Sequence, residues 1–132
     1  MVTENIGAKD MMLDRLTEAI IGAAIEVHRI LGPGLLESIY EEALCHELQL
    51  RGIACERQKA IDVVYKQRVI KGQKLDVLVE REVVLELKAV AKLPEVATAQ
   101  TLSCLKSTGL KRALLINFSQ SKLVDGIKRL CL

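Results

Sequence analysis

Aromatic residues are almost missing from this 132-residue chain: there is no tryptophan, and Tyr40, Tyr65 and Phe118 are the whole set. A surface that grips bases by stacking them on aromatic platforms is therefore not expected. An excess of one charge is missing too. The formal net charge of +2 permits nucleic-acid binding through a local patch but does not argue for it. No apolar run approaches the roughly 18 residues that a membrane span needs, so no membrane partner is expected. The start, Met1 to Asp10, is polar and lacks the basic-then-apolar order of a secretory signal. Cys45, Cys55, Cys104 and Cys131 are widely spaced, with no C-x-x-C pair. They read as reduced thiols of a cytoplasmic protein. The two histidines, His28 and His46, do not complete a zinc cluster with them.

What is present is aliphatic. Half the residues are hydrophobic, enough for one core, so residues 11–132 read as a single domain behind a polar segment 1–10. Helical spacing of Leu13, Leu16, Ile20, Ala23, Ala24 and Val27 predicts a helix over Met11–Ile30, stopped by Leu31-Gly32-Pro33-Gly34. A second helix is expected over Leu35–Leu50, with Leu36, Ile39, Tyr40, Ala43, Leu44 and Leu48 inward and Glu41, Glu42 and Glu47 solvated. Three strands follow, at Ala60–Tyr65, Val69–Val79 (with a break near Gly72) and Val83–Val90. Pro94 opens a helix to about Ser107. Arg112–Phe118, with its continuous run Ala113-Leu114-Leu115-Ile116, fits a strand covered on both faces. The tail Leu123–Leu132 is ambiguous, with a short strand favoured over a helix. The order ααβββαβ, with or without that last strand, predicts an α/β single domain: a mixed four- or five-stranded sheet flanked by helices.

The chemistry is concentrated in the second and third strands. Asp76, Glu86 and Lys88 put three charges into apolar segments, and buried charges need partners, protons or a metal. Glu86 and Lys88 share a strand face. If the hairpin is symmetric about Arg81, Asp76 stands directly opposite Glu86, with Cβ atoms about 5 Å apart. Two carboxylates so placed favour a hard divalent ion such as Mg²⁺ or Mn²⁺ between them. The condition is strict: the loop must hold an odd number of residues or a bulge must restore the phase, because a two-residue turn sends the acids to opposite faces. A bound metal would polarise a phosphoryl oxygen and acidify water, and Lys88 would orient that water or stabilise transition-state charge. The same residues also fit ordinary strand salt bridges, Asp76–Lys88 or Glu86–Lys88.

Gly34-Leu-Leu-Glu37-Ser-Ile-Tyr40 resembles the signature that names the GxxExxY family. So do Leu31-Gly32-Pro33-Gly34, Glu86-Leu87-Lys88-Ala89, Gln100 with Leu105-Lys106, and Leu114-Leu115-Ile116-Asn117-Phe118, so the resemblance runs from about Leu16 to Arg129. That family is grouped with the PD-(D/E)XK nuclease-like superfamily. The resemblance implies a restriction-endonuclease-like core with Asp76 and Glu86 as metal-binding acids and Lys88 completing E-x-K. It implies Glu37 as an acid supplied by the preceding helix and Gln100 as the glutamine of the following one. Three positions depart from the family's pattern. Leu75 stands where a proline precedes the first acid. Cys104 replaces a tyrosine four residues after Gln100, and Ser119 an expected glycine.

Other residues are weaker candidates. Tyr40 either holds Glu37 in place or belongs to the core. Gln100 lies amid Val96, Ala97, Ala99 and Leu102, so partial burial is expected. His28 reads as a helix-end histidine and Cys104 as a small core residue. Glu26 reaches either the site or a salt bridge. Lys106, Lys111 and Arg112 could face a phosphate backbone or plain solvent. The expected function is a divalent-metal-dependent nuclease acting on DNA or RNA, and homo-oligomerisation is left open. The alternative is a non-catalytic nucleic-acid- or protein-binding module on a nuclease scaffold.

Overall fold

A computed structural model describes the backbone of residues 2–132 and the side chains of residues 7–132. Met1 lies outside the described residues. The elements run α1 (Val2–Leu31), α2 (Glu37–Leu50), β1 (Cys55–Tyr65), β2 (Arg68–Val79), β3 (Val83–Lys88), α3 (Val96–Thr108), β4 (Arg112–Asn117), a short 3₁₀ turn (Leu123–Gly126) and β5 (Ile127–Cys131). The first helix starts at Val2 rather than Met11; the polar segment holds no proline, and its one glycine, Gly7, weakens a helix without ending it. The ambiguous tail resolves into both alternatives, a 3₁₀ turn and then a strand.

The five strands lie in the order β1-β2-β3-β4-β5. Only β3 and β4 are parallel, joined by the α3 crossover; the other neighbours are antiparallel. Helices α1 and α2 cover one face, where Ile20, Ala24, Leu44 and Leu48 pack on Val77, Leu85, Leu87 and Ile116. Helix α3 covers the other, where Cys104 and Leu105 meet Leu75, Val84 and Ala113. The fold is thus a three-layered α/β single domain consistent with the restriction-endonuclease-like architecture.

Two of the three aromatics are structural. Tyr40 and Phe118 are fully buried and stacked, with ring centroids 4.5 Å apart. The Tyr40 hydroxyl donates to Gly32 O and accepts from Leu35 N, pinning the Gly-Pro-Gly turn to α2. Tyr40→Phe leaves both backbone groups unpaired. The expected cost is about 1–3 kcal/mol of stability, read by urea titration; an unchanged midpoint would show that the hydroxyl bears no weight. Leu36 and Ile39, expected inward, are 73% and 44% exposed. Helix α2 begins only at Glu37, so Leu36 precedes it, and of its first turn only Tyr40 enters the core.

Buried Asn117 fastens the exit of β3. Its Oδ1 accepts from Val90 N and Ser119 N, and its Nδ2 donates to Val90 O. Gly126 packs so closely behind it that a Cβ there would lie 2.5 Å from Asn117 O.

Candidate active site

The β2–β3 hairpin settles where the acids go. Its ladder pairs Val79 with Val83, Leu78 with Val84 and Val77 with Leu85. The loop is therefore the odd-numbered Glu80-Arg81-Glu82, in which Glu80 and Arg81 take left-handed backbone angles (φ 51 and 57). The next opposed position is Asp76 and Glu86, on neighbouring strands and not on opposite sides of the sheet. The ladder stops before it. Here β2 leaves β3, and the freed Leu87 N–H donates to Asp76 Oδ2 at 2.8 Å instead of to a β2 carbonyl.

A phase slip accompanies this parting. Val77 and Val79 pack toward α1 and α2, whereas Leu75 and Leu78 pack toward α3. In a regular strand Leu75 and Val77 would share a face, so alternation slips at Asp76. Across from Asp76, between the pairs Arg57–Val77 and Lys59–Leu75, stands Gln58 with φ 49. Such irregularities re-aim side chains, and they recur beside functional sites.

Glu86 and Lys88 lie on β3, both half-buried. Burial raises the carboxyl of Glu86, and the nearby charge of Asp76 raises it further, up to about 7; Lys88 acts the other way. Asp76 is raised too, first by burial; its bond from Leu87 N opposes this, while the charge of Glu41 adds to it. Both carboxyls of the pair are thus held above their ordinary values, burial being the first cause in each.

Glu37 is the first residue of α2 and largely exposed. Partial desolvation and then the charge of Asp76 raise its carboxyl, so it faces the pair from the rim. Gln100, expected partly buried, is exposed. It nonetheless lines an open groove of about 530 Å³ together with Glu86 and Cys104. Asp76, Glu86 and Lys88 are thus brought together, with Glu37 and Gln100 on two edges. Tyr40 does not hold Glu37; it holds the turn before it.

Glu41, expected to be solvated, is 6% exposed. Its Oε2 accepts from Arg57 Nη2 at 3.0 Å and its Oε1 from Gln58 Nε2 at 2.7 Å. Neighbouring residues of a regular strand point to opposite faces, so the left-handed Gln58 is what lets both reach one carboxylate. The signal was in the sequence: Glu41 leads Leu44, Cys45 and Leu48 at helical spacing on the inward face. Removing the Glu41 carboxylate in Glu41→Ala should cost about 1–3 kcal/mol and lower the melting temperature; a melt that matches wild type would contradict this.

The remaining candidates go elsewhere. Glu26 pairs with Arg29 on the surface. Arg112 is tied to Asp10 and Asp14 of α1, so Lys106, Lys111 and Arg112 do not form one phosphate-facing cluster. His28 bonds the carbonyl of Gln120. A larger hollow of about 700 Å³, lined by Glu42, His46 and Arg57 among others, lies between α2 and β1, away from Glu86. Among the described residues, no three His, Cys, Asp or Glu side chains are gathered closely enough to cage a metal ion.

A family model of the PD-(D/E)XK nuclease superfamily matches residues 14–130. The chain belongs to that superfamily. Neither the curated proteins nor the solved structures yield a match. For a PD-(D/E)XK protein the functional class is nuclease-like and the substrate class indicated is nucleic acid. Nucleases of this superfamily generally use divalent metal ions. Among the described residues, no helix of this PD-(D/E)XK chain is long and apolar enough to cross a membrane.

Proposed function

We propose that the chain is a divalent-metal-dependent nuclease of the GxxExxY branch that hydrolyses phosphodiester bonds of DNA or RNA. Asp76 and Glu86 are its metal-binding acids, Lys88 acts beside them, and Glu37 and Gln100 complete the site from α2 and α3. One observation carries this reading: two crowded carboxylates and a lysine meet where β2 parts from β3. The donor set suits Mg²⁺ or Mn²⁺. Such ions are held by one or two carboxylates and otherwise keep water or take substrate oxygens, so no three-residue cage is needed. Burial raises Glu86 first; the charge of Asp76, which raises it further, is also the repulsion that a dication relieves. We place the protein in the cytoplasm, a reducing compartment that suits its four free thiols.

When bound, the metal supplies Lewis-acid stabilisation of charge on the phosphoryl group. Leu87 N–H holds one oxygen of Asp76 and so fixes the carboxylate. Glu86 would hold the cation together with Asp76. Lys88 Nζ offsets negative charge as the phosphorus centre is attacked. Gln100, on the groove wall, has an amide that can both donate to and accept from a nucleic-acid strand.

The test is an assay of plasmid DNA and labelled RNA in Mg²⁺, in Mn²⁺ and in EDTA. Cleavage with metal and none in EDTA is expected. Binding that ignores EDTA and leaves both substrates intact would mark a non-catalytic module instead.

A further inference from the structure

The chain's cations are unevenly placed. Between Lys59 and Lys74 lie Lys59, Lys66, Arg68, Lys71 and Lys74 against one acid, Asp62, in a chain whose net charge is only +2. This stretch is the far half of the β1–β2 hairpin. No residue from Ala60 to Lys74 is buried. Its strands pair with each other through Tyr65–Arg68 and close in a two-residue turn, Lys66-Gln67, with φ 45 and 71. Beyond Asp76 no β3 partner remains. The hairpin therefore runs past β3 as a two-stranded arm, about 20 Å long at ordinary strand rise, rooted at an acid of the candidate site and resting on α3 through Ile61.

The arm also forms a wall of the groove. Val63, Gln73 and Lys74 face Gln100, Ser103 and Cys104 of α3, with Glu86 in the same lining. Two of the cations are already engaged: Lys71 bonds Asp62 at 2.7 Å and Lys59 lies 3.7 Å from Glu56. Lys66, Arg68 and Lys74 have no acidic partner among the described residues. Lys66 instead sits over the exposed Tyr65 ring at 5.5 Å.

We propose that the β1–β2 arm guides substrate: Lys66, Arg68 and Lys74 bind the phosphates of a nucleic-acid strand running along the groove toward Asp76 and Glu86. This rests on the nuclease reading above. Charge complementarity selects the occupant. An isologous contact between two copies of the arm would set Lys66 and Arg68 against their own symmetry mates; a polyphosphate backbone meets them with the opposite sign. The exposed Val64 and Val69 give the other side of the arm an apolar stripe, which makes a second copy of the chain the rival occupant.

The experiment measures binding without turnover. Fluorescent DNA and RNA oligonucleotides, single-stranded and duplex, are titrated in EDTA with full-length Asp76→Asn protein. In that background, Lys66→Asn/Arg68→Gln/Lys74→Gln is compared with Arg15→Gln/Lys122→Gln/Lys128→Gln, three exposed cations elsewhere. Asn is chosen at Lys66 because it tolerates positive φ. The arm triple should bind at least about tenfold more weakly and lose about 2–3 units of salt slope, since each phosphate contact contributes about 0.9 on duplex DNA. Arg68→Gln alone, at an exposed position that accepts polar residues, should show part of both losses even if the triple folds poorly. Equal losses in the two triples, or none in the arm triple, would overturn the proposal. So would a wild-type dimer by sedimentation that the arm triple converts to monomer with binding intact. The two readings fail separately. Arm-dependent binding by a wild type that never cleaves removes hydrolysis and keeps the arm. Cleavage with KM unchanged in the arm triple removes the arm and keeps hydrolysis.

Discussion

Asp76→Ala should abolish metal-dependent cleavage, with a loss of about a thousandfold or more. That corresponds to about 4 kcal/mol of transition-state stabilisation, a fair share of what a bound metal supplies to phosphoryl transfer. The substitution does two things. It removes one of the two carboxylates at the β2–β3 parting, and it leaves Leu87 N–H without its acceptor. The second effect costs about 1–3 kcal/mol of stability, so loss of activity from alanine alone could be loss of fold. Asp76→Asn separates them, because the amide oxygen still accepts from Leu87 N while the charge is gone. The expected pattern is a melting curve close to wild type for asparagine, a lowered one for alanine, and equally deep loss of cleavage for both. An asparagine variant that cleaves at the wild-type rate in Mg²⁺ would remove Asp76 from the chemistry.

The second large effect is on stability, and its sign follows from Glu86. Its carboxyl is raised from 4.5 to about 7 in the folded protein, so between those values the folded state binds more protons than the unfolded one. Stability from this group is therefore full below about pH 4.5, falls as pH rises, and is lost above about pH 7. Asp76 of β2, Glu37 of α2 and Lys88 of β3 are the charges that face it, and the first two deepen the fall. Glu86→Gln has no charge to crowd. Relative to wild type without metal, it should melt higher at pH 8 than at pH 5 by the equivalent of about 1–2 kcal/mol, after allowance for solvent screening. For a domain of this size that is about 3–6 °C per kcal/mol. Mg²⁺ or Mn²⁺ should raise the wild-type melt at pH 8 and leave Glu86→Gln nearly unmoved. A wild-type-minus-variant difference that is flat with pH would show that the pair is not strained.

The hairpin was legible in the sequence because strand period and loop parity alone decide whether Asp76 meets Glu86. The sequence left that parity open, as a condition on symmetry about Arg81, and the three-residue loop Glu80-Arg81-Glu82 meets it. The helices were legible through their apolar spacing, apart from ends such as Val2 and Glu37, where no strong stop or start signal stands. What escaped depends on tertiary geometry. The slip at Asp76 reverses which face Leu75 takes, and alternation arguments assume no slip. Gln58 adopts a left-handed backbone that no glycine or turn sequence announces. Glu41 counts as polar, so a hydrophobicity pattern sends it outward, yet Arg57 and Gln58 satisfy it inside. Arg112 looked like part of a basic cluster because its partners, Asp10 and Asp14, are far away in sequence. The arm was visible only as two strands; that β3 abandons β2 at Asp76, leaving the rest without a β3 partner, is a property of the sheet.

The most direct measurement is a Mn²⁺ soak of crystals of the wild-type protein at pH 8, read by anomalous scattering. Density between the carboxylates of Asp76 and Glu86, absent in crystals of Asp76→Asn, is the result expected if a dication belongs where β2 and β3 part. No anomalous peak within coordination distance of either carboxylate at saturating Mn²⁺ would contradict it.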